Sequence, residues 1–163
     1  MAANVQIHEI VSASAGVDKT SSTIRFKAAD TTSVDTSNGV VIPSSGTTYS
    51  FTKQLRFNFN TAPVTNIQNL RAYSAGGAGF GTGVGVNYDT TNVFGSNFSV
   101  SLGGTSFFTK TSGSPIVLDT TNVGPFTGTG YKGDILRLQM NLISTATAGL
   151  LAAQTATFTY DES

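Results

Sequence analysis

Cysteine and tryptophan are absent from this chain, histidine occurs once, and glutamate only at Glu9 and Glu162. Without cysteine there are no disulfides, no thiolate metal ligands and no thiol nucleophile. His8 is the only imidazole, so a metal centre of the several-histidine kind lacks its ligands. A Ser-His-Asp relay would have to be built on that one residue, and no G-x-S-x-G elbow presents a serine to it. The carboxylate pair of glycoside hydrolysis is equally hard to assemble. The two glutamates lie near opposite ends, and Asp30, Asp35, Asp89, Asp119 and Asp134 all sit in Thr-, Asn- or Gly-rich stretches. The residues favour no enzyme class, no cofactor and no metal.

Charge is scarce as well. Charged residues make up 11% of the chain, against roughly 25% in an ordinary soluble domain. Nine basic and nine acidic side chains cancel to a formal net charge of zero, which leaves no basic stripe for a nucleic-acid backbone. No segment approaches the roughly 20 apolar residues of a membrane helix. The opening "MAANVQIHEI" has neither a basic n-region nor a continuous apolar core, so synthesis in a cytoplasm is expected. The sequon at Asn97 then reads as accidental. Near-zero charge gives little protection against self-association and suits a protein packed into a larger assembly.

What the chain does have is alternation. In "YSFTKQLRFNFN", residues 49 to 60, Tyr49, Phe51, Leu55, Phe57 and Phe59 share one parity, and Gln54, Arg56 and Asn58 share the other. This reads as one long strand with an apolar face and a wet face. Its twelve residues would extend roughly 40 Å at about 3.3 Å each. Similar patterns recur in "STIRFKA", "GVGVNY", "NFSVSL", "DILRLQMNLI" and "QTATFTYDE", with weaker ones in "NVQIHEI", "GVVIP", "NLRAY" and "PIVL". Nine or ten short strands with turn residues between them predict an all-β antiparallel sandwich or jelly roll with little helix. The expected core unites Phe51, Leu55, Phe57, Phe59, Leu136, Leu138, Met140, Phe158 and Tyr160. At 163 residues the chain is one domain, 1–163, with an extended N-terminal arm over about residues 1–20 that drapes over a neighbour.

Several motifs have a structural reading beside a functional one. The glycine run "AGGAGFGTGVGV", residues 75 to 86, lacks the Gly-Lys-Ser/Thr ending of a phosphate loop and leads into a strand pattern, so it reads as a structural loop. "DTSNGV" from Asp35 echoes a calcium loop without its closing glutamate. The near-copies "YDTTNVFGSNF" and "LDTTNVGPF" read as corners after strands, held by Asp and Asn side chains. Lys53 interrupts an apolar face, where it snorkels to the sheet margin, blocks edge pairing or marks a subunit contact. Leu150 and Leu151, in "TAGLLAA" at residues 147 to 153, form either an interface patch or a cap over the open end of the sandwich.

The stretch "IPSSGTTYSFTKQLRFNFNTAPVTNIQNLRAYSAGG", residues 42 to 77, resembles head and tail structural proteins of tailed bacteriophages. The resemblance is carried by a long aromatic strand after an "SGT-Y" turn, by "P---I-NL", and by the glycine-rich "FGTGVGV" that follows. It covers about the middle third of the chain. It implies a virion structural protein, first a capsid decoration (cement) protein on the outside of the major capsid lattice, as a homo-oligomer and often a trimer. A tail, neck or fibre component with a receptor- or carbohydrate-binding role is the second expectation, and a small jelly-roll hydrolase or isomerase the third. Arg56, on the wet face of the long strand, and Leu150 and Leu151 are the candidate interface residues.

Overall fold

The computed structural model describes residues 3–11, 15–75 and 79–163. Ten strands and one short 3₁₀ turn, Phe107–Thr109, are found among them: β1 (Val5–Ile10), β2 (Val17–Asp18), β3 (Thr47–Tyr49), β4 (Lys53–Phe59), β5 (Ile67–Ser74), β6 (Val84–Thr91), β7 (Thr105–Ser106), β8 (Ile116–Val117), β9 (Gly130–Ile143) and β10 (Ala156–Glu162). Every pairing is antiparallel. The larger sheet runs β2-β1-β4-β9-β6-β7 with β3 also on β9, and the smaller runs β10-β5-β8. The all-β antiparallel sandwich expected from the alternation is therefore the fold.

β9 is the spine. Leu136, Leu138, Met140 and Leu142 point from it into the core, where they meet Leu55, Phe57 and Phe59 of β4, Val86 of β6, and Ile67, Leu70 and Ala72 of β5. Phe158 and Tyr160 pack against this core from β10, both edge-on to Phe57. Phe51 does not join it.

The reason is that the long strand breaks. Tyr49 pairs with Asn141, but Lys53 pairs with Leu138, so residues 50–52 hold one more residue than the facing part of β9. Ser50 makes the break: its N–H donates to Met140 O at 2.9 Å and its hydroxyl accepts from Met140 N–H at 3.1 Å. Phe51 and Thr52 then turn their N–H groups to Lys27 O and Phe98 O, outside the sheet. A second irregularity sits in β9 itself, where Gly133, Asp134 and Ile135 lie opposite the single residue Arg56. Gly133 has φ +69°, and a Cβ there would stand 2.5 Å from Leu118 O. Only glycine fits without a shift.

Three expectations from the sequence give way to the fold. From Val5 to Ile10 the N-terminal "arm" is a strand paired with both β2 and β4; its residues 12–14 lie outside the described residues. "STIRFKA", "NFSVSL" and "GVVIP" form no strands. The first DTTN copy supplies the end of β6 itself, with Asp89 paired to Arg137, whereas the second is a loop. The glycine run does lead into strand β6; residues 76–78 of it lie outside the described residues.

Candidate functional site

The two sheets differ in width. At about 4.8 Å per strand, three strands span about 10 Å between outer axes and six span about 24 Å. The small sheet therefore leaves part of the large sheet's inner face uncovered. Irregular segments line it: residues 19–27, 36–42 and 147–155. What remains is a cleft of about 1110 Å³, floored by Ile7, Val84, Val86, Leu138, Met140 and Leu142 and walled by Ile24, Phe26, Phe80, Phe107, Phe108, Leu151 and Phe158.

The polar part of the cleft's lining carries charge of one sign. Lys19, Arg25 and Lys27 belong to it, together with Ser, Thr and Gln154, and no carboxylate does among the described residues. Lys27 is buried and satisfied from outside the cleft, with Nζ 2.7 Å from Asp35 Oδ1 and 2.9 Å from Ser33 Oγ. Lys27, followed by Ser33 and the Ser37 N–H, holds the Asp35 carboxyl well below the usual range. The Asp35 segment echoing a calcium loop thus directs its carboxylate at a lysine.

Lys19 reaches Glu9 at 3.6 Å and Thr32 O at 2.9 Å. Glu9 in turn accepts from Lys53 Nζ at 2.8 Å, and Lys53 also donates to Thr31 O at 2.6 Å. Lys53 is 1% exposed, so it neither snorkels out nor guards an edge: it is half of an internal ion pair on the inner sheet face. Arg25 is different. It is half-buried, has no ion pair among the described residues, and its Nε is buried with no hydrogen-bond partner.

The opposite face of the large sheet overturns the expectation of a wet, contact-making β4. Thr52, Gln54 and Arg56 are all buried. They are covered by residues 92–103, an irregular strap whose backbone finds partners in side-chain amides. Gln139 accepts from Leu102 N–H at 2.7 Å and donates to Val100 O at 2.8 Å and Ser50 O at 2.9 Å. Gln54 donates to Gly95 O at 2.6 Å and to Asn97 Oδ1 at 2.7 Å. Asn97 passes the network on to Asp30 at 2.6 Å, so the sequon's amide is an internal group.

Arg56 donates from Nε to Gly133 O at 2.9 Å, and its guanidinium lies 5.4 Å from the centre of the Phe94 ring. Burial pulls its pKa down, against the opposing fields of Asp134 and Tyr131. It is a structural clamp under the strap and not an exposed contact residue. Beside it, Asp134 accepts N–H bonds from Thr120, Thr121 and Asn122 and the Thr120 hydroxyl at 2.7–3.0 Å. Burial alone would raise this carboxyl, but those bonds, led by Thr121 and Asn122, hold it below its ordinary value. The second DTTN copy is thus a loop wrapped around a carboxylate. His8 is half-buried, its ring nitrogens 3.2 Å from the Tyr131 hydroxyl and 3.0 Å from Gln6 Oε1.

Leu150 and Leu151 separate. Leu150 is 77% exposed, whereas Leu151 is half-buried against the core and lines the cleft. The 147–155 segment contains no helix. Of the three candidate interface residues, Leu150 and Leu151 line the cleft and Arg56 does not. The alternation marks Leu138 and Met140 of the floor as core but not as a cleft, and it does not mark Arg25, because nothing in it tells how wide each sheet will be. No protein-family model, no curated protein and no solved structure matches this chain.

Proposed function

We propose that the chain is a structural component of a tailed-phage virion, a decoration protein that binds the outside of the major capsid lattice as a homo-oligomer. The observation that carries this reading is where the charge goes. The ion pairs and clamps centred on Glu9, Lys27, Lys53, Arg56 and Asp134 engage charged side chains inside the fold. The exterior carries few charges, among them Asp18, Asp161 and Glu162, and otherwise Ser, Thr and Gly with isolated apolar side chains such as Val41, Val64, Val93, Val100, Val123 and Leu150, each 65–77% exposed. Such a surface resists self-association poorly and suits many shallow contacts on one rigid body, whose avidity needs no single strong site. The resemblance of residues 42–77 to phage head and tail proteins points the same way.

The test is to purify particles and locate this chain on them by reconstruction. Copies on the head exterior, and heads that break at lower temperature when it is left out, are the expected result. Copies on a tail or fibre would select the second reading, a tail, neck or fibre component with a binding role, which the open cleft favours. Absence from particles would overturn both.

A further inference from the structure

We propose that the cleft between the two sheets binds an amphipathic anion, an aliphatic chain carrying a single carboxylate, with Arg25 as the anchor for its head group. The inference does not depend on the virion reading. Its basis is the mismatch between the cleft's apolar floor and the cations in its lining. A cleft of about 1110 Å³ exceeds the roughly 300–1,000 Å³ of ordinary small-molecule pockets, and its floor is apolar. Only an apolar chain gains from filling it.

The cations of the lining then specify the other end of the ligand. In a chain whose charges balance, the described lining carries Lys19, Arg25 and Lys27 and no carboxylate. Lys27 is neutralised by Asp35, and Lys19 stands 3.6 Å from Glu9, a carboxylate it shares with Lys53. Arg25 has no such partner among the described residues, and its Nε is shielded from solvent without a hydrogen bond. A buried donor left unmade is costly, and a carboxylate is the acceptor whose geometry suits a guanidinium. A neutral chain would leave Arg25 as it is, and a cationic one would be repelled by it.

The proposal is tested by calorimetric titration of the full chain with sodium dodecanoate and with 1-dodecanol. Saturable binding of one dodecanoate per chain is expected, about tenfold tighter than the alcohol, as a charge-assisted bond supplies. Arg25→Gln should weaken dodecanoate about tenfold, leave the alcohol unchanged and so erase the preference, whereas Arg25→Lys should restore part of it. Hydrogen exchange should slow at Val84–Val86 and across residues 151–156 when dodecanoate is added. No saturable binding, equal affinity for acid and alcohol, or an Arg25→Gln chain that binds dodecanoate like the parent would each overturn the proposal. So would binding without protection at those amides. Dimerisation that abolishes dodecanoate binding would overturn it too, in favour of a second copy as the occupant.

Discussion

Lys53 donates to Glu9 across 2.8 Å on the core-facing side of the large sheet, and each side chain is 1% exposed. Neighbouring strands β1 and β4 thus share a charge pair in a place where the alternation of β4 calls for a hydrophobe. Thr31 O accepts from Lys53, and Lys19 stands 3.6 Å from Glu9 Oε2, which has no hydrogen bond; both contacts tie the 19–31 segment onto the sheet.

Removing one partner leaves the other charge stranded. Lys53→Met or Glu9→Gln should each cost about 3–5 kcal/mol in urea unfolding, whereas the double change to Met and Leu should recover most of that loss. A double variant as unstable as the sum of the singles would show that the pair itself contributes nothing special.

Gln139 is the post on which the strap hangs. Gln139→Ala should remove about 1–3 kcal/mol, because it orphans Leu102 N–H and the carbonyls of Ser50 and Val100 together. Amide exchange should accelerate at Leu102 ahead of the β9 amides.

Gly133 is fixed by its left-handed backbone and by Leu118 O at 2.5 Å from any added Cβ. Gly133→Ala should cost about 2–4 kcal/mol, the sum of a strained φ and a clash with backbone. Gly46 also has positive φ but nothing within 4 Å, so Gly46→Ala should cost about 1–2 kcal/mol, the backbone term alone. Melting the two variants side by side separates the contributions.

Asp134 gives the fold an acid limb. Its carboxyl titrates lower in the folded chain than in the unfolded one, so its contribution is complete above the unfolded value of about 4 and is lost as pH falls through the folded value. Stability of the parent should therefore drop on acidification below about pH 4. Asp134→Asn should be weaker at pH 7 by about 1–3 kcal/mol and flatter across that window.

Leu150 and Leu151 should answer differently to the same change. Leu150→Asp, at an exposed site, should shift the melt by no more than about 0.5 kcal/mol, while Leu151→Asp places a charge against the core and should cost about 1–3 kcal/mol. On the virion reading Leu150→Asp is also the variant that weakens assembly, read by size-exclusion chromatography and particle binding.

The alternation of Leu136 to Leu142 and of Leu55 to Phe59 makes the core and the antiparallel sandwich legible in the sequence. It misjudges the far side of β4, because a polar parity is silent on what covers it. Gln54, Gln139 and Asn97 look like solvent-facing residues, yet the amides of Gln54 and Gln139 satisfy a strap about 40 residues away in sequence. "STIRFKA" fails for a related reason: Lys27 turns inward to meet Asp35, and Ala28 N–H bonds Asn38 O, so local charge chemistry displaces the ladder. The break at Ser50 is hidden since serine is at home on a wet strand face. Arg25, the residue on which the cleft's chemistry turns, has nothing in its neighbours along the chain to mark it.

The placement of β9 sets a timetable for synthesis. Strands β3, β4 and β6 all find a partner in residues 130–143, so none of them can finish pairing while those residues are still inside the ribosome. β4 can pair with β1 early, but its other edge stays open until β9 has emerged, and pairings of such long range form slowly. A nascent chain halted before β9 therefore presents β4 and β6 with open edges, and pairing with other copies competes until residues 130–143 arrive.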